Sequence, residues 1–307
     1  MSTTGMPFSI RPDRSFKSQF HKLARRQLRH AIDVLETRPQ GTDHAIHEAR
    51  KRLKRVRSLY RLVASAVPKF SARENIRLRG IARSLSSLRD AAALVETATY
   101  LHERARDSDE AEALGRIVVA LTARRDRLIA ARRDPEKVVS DTISALKRAI
   151  AAVQDVNLKG GHRRHGRLLA HGWDTTVRKA RKALAACEGH VSAEAFHTLR
   201  KRTQDYRAYH KLLNPLWPTA MNAKYDAAST LVDLLGRIND LELLCELVET
   251  EHHHFENADD LAHLLYAIIF HQQQGRHDAL DRAETIFGPD ADDEAMRIEM
   301  LWIAFGG

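Results

Sequence analysis

The sequence predicts an all-α protein, and three observations predict it. Apolar residues recur three and four apart over long segments, the spacing that gathers them on one side of a helix. No stretch alternates apolar and polar residues as a half-buried strand does. A His/Arg/Lys pattern, HxxRKRxxxxR, begins at His47 and again at His197, and later segments share that offset of 150 residues. A tandem duplication of helical halves accounts for the repeat.

From Phe16 to Thr37 the apolar stripe is Phe16, Phe20, Leu23, Leu28, Ile32 and Leu35, with Lys22, Arg25, Arg26 and Arg29 on another side. Pro39-Gln40-Gly41 stops that helix. The next is HEARKRLKRVRSLYRLV, from His47 to Val63, with Thr42 or Asp43 as its expected cap and Pro68 as its stop. Ile46, Ala49, Leu53, Val56, Tyr60 and Val63 form its apolar stripe. Opposite lie His47, Arg50, Lys51, Lys54, Arg57, Ser58 and Arg61, a face with five fixed positive charges and no acid. Like charges three and four residues apart destabilise a helix by a few tenths of a kcal/mol per pair. An anion is therefore expected on that face.

A long helical segment follows from Ser71 to about Arg106, weakened at Gly80, and then one from roughly Asp109 to Ala131. Asp134, Pro135 and Glu136 have the residue types that start a helix, and this one runs to about Val156. NLKGGHRRHG, Asn157 to Gly166, reads as a linker between a first half at 10–156 and a second at 167–305. In that linker His162 and His165 stand among arginines, where they could help hold an anion. The second half repeats the order: a helix through Trp173, Val177 and Leu184, the second basic helix capped by Ser192, long helices from about Thr219 to Glu251 and Ala258 to Gln274, and a last one near Asp292 to Ala304. LSSLRDAAAL at Leu85 aligns without a gap on LGRINDLELL at Leu235, so Asp90 and Asp240 coincide.

The 307 residues are 43% hydrophobic and 29% charged, a composition that can bury proper cores. Fifty Lys+Arg against 40 Asp+Glu give a net charge of +10, but beyond Tyr225 the acids outnumber the bases severalfold. A basic body with an acidic end points to a polyanion partner. Cys187 and Cys245 lack a CxxC neighbour and read as buried small apolar residues in a reducing compartment. The N-terminus has no apolar h-region and no run approaches a bilayer span, so a cytoplasmic protein that does not enter the membrane is expected.

With the doubled motif in hand, His47-Glu-Ala-Arg50-Lys51 and His197-Thr-Leu-Arg200-Lys201, each followed downstream by Arg89-Asp90 or Asn239-Asp240, the chain resembles the CHAD family, the conserved histidine α-helical domain. The resemblance covers about residues 10 to 305. It implies two antiparallel four-helix-type bundles related by a pseudo-twofold, whose basic helices face a shared groove that binds inorganic polyphosphate, and with that binding an association with polyphosphate granules. Proteins of this family also occur fused to a triphosphate tunnel domain, and no such domain fits in this chain. The second copy departs from the first at Thr203, Gln204, Asp205 and Asn239, where the first has Leu53, Lys54, Arg55 and Arg89. The second half should therefore bring less positive charge to the groove.

The residues expected to bind polyphosphate are His47, Arg50, Lys51, Lys54, Arg57 and Arg61 in the first copy and His197, Arg200, Lys201, Arg207 and Lys211 in the second, with Arg25, Arg29, Arg79, Arg83, Arg178 and Arg181 as second-rank candidates. Arginine holds two oxygens of such a chain at once and lysine adds mobile point charge. Both histidines are placed in the first turn of their helix, as neutral rings that either donate to phosphate or pack against a neighbouring helix. Asp90 and Asp240 are expected to orient an arginine.

An RNA binder using the same helices is the alternative, weakened because aromatics are only 6% and do not interleave with the basic rows. An enzyme is not expected, since no P-loop, nucleophile elbow or Cys/His arrangement is present. No cofactor or metal is expected either: His252, His253 and His254 point about 100° apart on a helix and cannot share one ion.

Overall fold

A computed structural model of the chain describes residues 8–131, 135–189, 192–251, 255, 257–288, 291 and 293–306, without the side chains of 86–90, 135 and 189. Apart from one 3-10 turn, Asn214–Leu216, every regular element described is an α-helix. The first half holds α1 (Phe16–Thr37), α2 (Thr42–Leu62), α3 (Pro68–Ser84), α4 (Ser86–His102), α5 (Ser108–Ala130) and α6 (Pro135–Gln154). The second holds α7 (His162–Gly189), α8 (Ala193–Leu212), α9 (Pro218–Thr250), α10 (Ala258–Phe287) and α11 (Glu294–Ala304). At an offset of 150, α1 matches α7, α2 matches α8, α3 and α4 together match α9, α5 matches α10, and α6 matches α11. No helix among the described residues is long and apolar enough to cross a membrane.

The break between α3 and α4 has a local cause. Ser84 Oγ donates to the Ile81 carbonyl at 2.9 Å, and the Leu85 N–H reaches the same oxygen only at 3.4 Å. A hydroxyl competing for a helical carbonyl loosens the ladder at that turn. Further along, α7 starts at His162, so only residues 157–161 lie outside helices. His162 donates through Nε2 to the Trp302 carbonyl at 2.6 Å and stacks on that indole, while His165 is buried against Phe16. Both are packing groups, not an anion clip.

The apolar clusters do not divide one per half. The larger joins α1, α2, α3 and α6 to α7, α8, the first part of α9, the end of α10 and α11. The smaller is a four-helix bundle of α4 and α5 with the end of α9 and the start of α10, built on Leu101, Leu114, Leu244 and Ile268. The expected tandem arrangement is thus corrected: α9 and α10 are long enough to enter both clusters, and each cluster draws on both halves. Cys187 is buried and Cys245 only partly so, and both are free.

Two further features seat the basic helices. Glu294 of α11, buried, accepts from Trp173 Nε1 at 2.9 Å and Tyr206 OH at 2.8 Å and pairs with Lys224, which ties α11 to α7, α8 and α9. Gly172 lets α7 press on the end of α2: a Cβ there would lie 2.1 Å from the Leu62 carbonyl oxygen. Gly172→Ala is expected to lower stability by about 1 to 3 kcal/mol through forced backbone movement, read as a lower urea midpoint. An unchanged midpoint would show that the two helices separate without cost.

Candidate anion-binding groove

The basic faces of α2 and α8 meet where the two helices pack together. The contact is fastened by Asp205, a carboxylate on α8 with almost no exposed surface. It accepts from Ser58 Oγ at 2.6 Å and from Arg61 Nε at 2.7 Å, and Arg61 Nη2 closes a bidentate pair. Arg61 also donates to Asn75 of α3 at 3.1 Å. One carboxylate thereby joins the two halves and aligns their cationic rows.

Around this fastening the cations outnumber the acids. Arg50, Arg200 and Arg207 all act on Lys54 as repelling neighbours, with Asp240 of α9 as the attractive one. Arg57 feels Arg61 and Arg79 as repulsion and Asp205 as attraction, and Lys201 in turn feels Arg57 and Arg79. Arg200 lies across α9 at Gly236, where a Cβ would stand 3.2 Å from its Nη2, so a bare stretch of backbone makes room for the guanidinium. The Nε–H groups of Arg57 and Arg200 are shielded from water and have no acceptor among the described residues.

Lys54 keeps an exposed side chain, yet protein atoms crowd its ammonium. Loss of hydration and then the three arginines bring its pKa down to about 8. Burial, followed by Arg61 and Arg79, brings the Arg57 guanidinium to about 10. Lost hydration first and repulsion second hold these cations below their ordinary values, and an oxyanion beside them offsets both.

The CHAD domain family model matches residues 21–249. The chain belongs to that family. Its fold is also that of the crystal structure of the CHAD domain from the plant Ricinus communis, with a TM-score of 0.61 at 14% identity, over 92% of this chain and 94% of that one. No curated protein matches the chain.

In this CHAD domain the structure gathers Arg50, Lys54, Arg200 and Arg207 into one set of cations and Arg57, Arg61, Arg79 and Lys201 into another, both along α2 and α8. Other expected residues lie apart from it or are committed elsewhere. Lys51 is exposed and pairs with Glu48 at 3.0 Å. Lys211 sits 5.5 Å from the Tyr225 ring, Arg83 is exposed at the end of α3, and Arg25 and Arg29 belong to a depression along α1. Arg178 is held by Asp174 at 2.8 Å, one turn away on α7. Arg181 donates to the carbonyls of Phe287 and Gly288 at 2.6 and 2.5 Å and closes the end of α10.

The histidines differ from expectation. α2 starts at Thr42 and α8 at Ala193, with Gly41 and Ser192 as N-caps that give no side-chain bond, so His47 and His197 fall in the second turn, past the reach of the helix dipole. His47 is exposed. His197 donates from Nδ1 to Asn239 Oδ1 at 3.0 Å, which leaves the neutral ring no second N–H for a phosphate. Its pKa is lowered by burial and by Lys201. The side chains of Arg89 and Asp90, and residues 252–254, lie outside the described residues, while Asp240 faces Lys54 and Arg200 as an acid serving two cations.

Asp205 is the residue that sequence reasoning undervalued. It was visible as an acid at the position whose repeat partner is Arg55, within the most basic segment of the second half. An acid replacing a base in a duplicated cationic row signals a partner in the other copy.

Proposed function

We propose that this protein binds inorganic polyphosphate in the α2/α8 groove, with Arg50, Lys54 and Arg57 from one half and Arg200, Lys201 and Arg207 from the other as the contacting cations. The observation that carries the reading is the meeting of Arg50 and Lys54 from one half with Arg200 and Arg207 from the other, beside a junction fastened by Asp205. A row of point charges and bidentate forks suits an extended chain of phosphates that offers oxygens and no bases. If about eight phosphates are neutralised, log affinity falls against log salt with a slope near −6, at about 0.7 per contact. Such binding would place the protein on polyphosphate granules, which fluorescence colocalisation checks.

The test is a titration with labelled polyphosphate at two salt concentrations, repeated with RNA as competitor. Displacement of polyphosphate by less RNA than the reverse requires would overturn the assignment. We read the protein as a binder and not a hydrolase, because the buried carboxylate at the groove, Asp205, is already taken up by Ser58 and Arg61. Phosphate release on incubation with polyphosphate and Mg²⁺ would contradict this.

A pH dependence follows from Lys54. In the free protein it loses its proton as pH rises through about 8, whereas a bound anion holds the proton on. Binding therefore takes up a proton above that value, and affinity declines from pH 8 toward 10. Lys54→Gln should bind more weakly at pH 7 and show a flatter profile. The sign for folding is opposite: the unfolded chain holds this proton up to the ordinary lysine value, so stability gains as pH rises between the two. An equally steep decline in Lys54→Gln would assign the effect to another group.

A further inference from the structure

The repeat that places Asp205 on α8 places Arg55 at the matching position on α2. Around Asp205 the contact is closed by Arg61 and Asn75. The residues at the same offset, Lys211 and Tyr225, lie together at 5.5 Å, and Arg55 is felt by Tyr225 and Arg207. The first arrangement has a carboxylate between its cations. At the second, an arginine stands where the carboxylate would be.

Arg55 does not belong to the groove face. At 100° per residue, Arg52 and Arg55 lie roughly 140° to 200° around α2 from Arg50. There they meet α1, since Arg52 acts on Arg26 and both Arg52 and Arg55 act on His30. Arg26 and His30 line the depression along α1 together with Lys22, Arg25 and Arg29. Two acids face this set. Asp33 lines the depression with the cations, and Glu48 is occupied by Lys51 and by Arg52 at 3.1 Å. The Nε–H groups of Arg25 and Arg52 are shielded from water with no acceptor among the described residues. Arg207 joins the two faces, because it acts on Lys54 in the groove and on Arg55 outside it.

Building on the polyphosphate reading, we infer that the α1/α2 face is a second phosphate-binding surface, reached from the groove past Arg207, where a long chain continues over Arg55, Arg52, Arg25 and Arg29. A short chain fills the groove alone. A chain several times longer engages both surfaces, so length selectivity resides outside the groove.

The experiment compares two lengths, about eight phosphates, the number assumed above for the groove, and several times that number, on the full chain and on Arg25→Gln/Arg29→Gln/Arg55→Gln. The triple variant should bind the short chain as the unsubstituted protein does and the long chain about tenfold more weakly, its salt slope reduced by about 2 for three lost contacts. Arg55→Lys in place of Arg55→Gln should restore part of the long-chain affinity. Equal loss for both lengths, or loss for neither, overturns the second surface while the groove stands. Failure of the unsubstituted protein to bind either length overturns the polyphosphate reading, and this inference with it.

Discussion

Asp205→Ala should lower the unfolding free energy by about 3 to 5 kcal/mol, the usual consequence of removing one partner from a buried ion pair. The carboxylate is fully enclosed and takes three donors, one hydroxyl and two from one guanidinium. Without it Arg61 is left as a mostly covered cation beside Arg57, Arg202 loses a carboxylate at 3.6 Å, and Ser58 Oγ keeps the Lys54 carbonyl at 3.1 Å and Arg61 Nη2 at 3.3 Å. Ser58→Ala should cost about 1 kcal/mol by comparison, the net worth of one hydrogen bond. Arg61→Ala combined with Asp205→Ala should be less damaging than Asp205→Ala alone, since the stranded charge is gone. Urea melts of the three variants decide the matter: a midpoint unmoved by Asp205→Ala would mean that the halves are held together by apolar packing alone.

Arg57→Ala with Arg200→Ala, one cation from each half, should weaken polyphosphate binding by about 100-fold or more, at about 1.5 to 3 kcal/mol for each charge-assisted contact. The same pair should leave the melting temperature nearly level, because lost hydration and the repulsion of neighbouring arginines offset the attraction of Asp205 for Arg57 and of Asp240 and Asp233 for Arg200, and neither Nε–H has an acceptor among the described residues. Binding and stability thus move apart, which a structural role could not produce. Calorimetric titration beside a thermal melt reads both. Full affinity in the double variant would put the ligand elsewhere, and a large drop in melting temperature would reassign the two arginines to the fold.

Much of this was legible from residue order. The bounds of α1 are those its apolar stripe marks, Phe16–Thr37. The duplicated helices, their basic faces and the match of α9 to the segment after Pro68 follow from spacing alone. Small residues hid other parts. α10 runs on to Phe287, well past Gln274, because Ala279, Ala283, Ile286 and Phe287 are buried at helical spacing, and alanines give a weak periodic signal. Start positions misled for a related reason. With Gly41 and not Asp43 before the first turn, α2 begins early enough to carry His47 beyond its dipole.

The sequence by itself determined that the chain is helical, duplicated, and cationic along one face of a helix in each copy. Those are properties of neighbours along the chain, fixed by a spacing of three and four residues. Only the tertiary structure decided which cations meet and which are already occupied. Arg50 and Lys54 of α2 meet Arg200 and Arg207 of α8, Arg178 is engaged along α7 and Arg181 at the end of α10, and Asp205 bonds to a residue 144 positions away. Charges act through distance in space, and the crossing of α2 with α8 sets that distance.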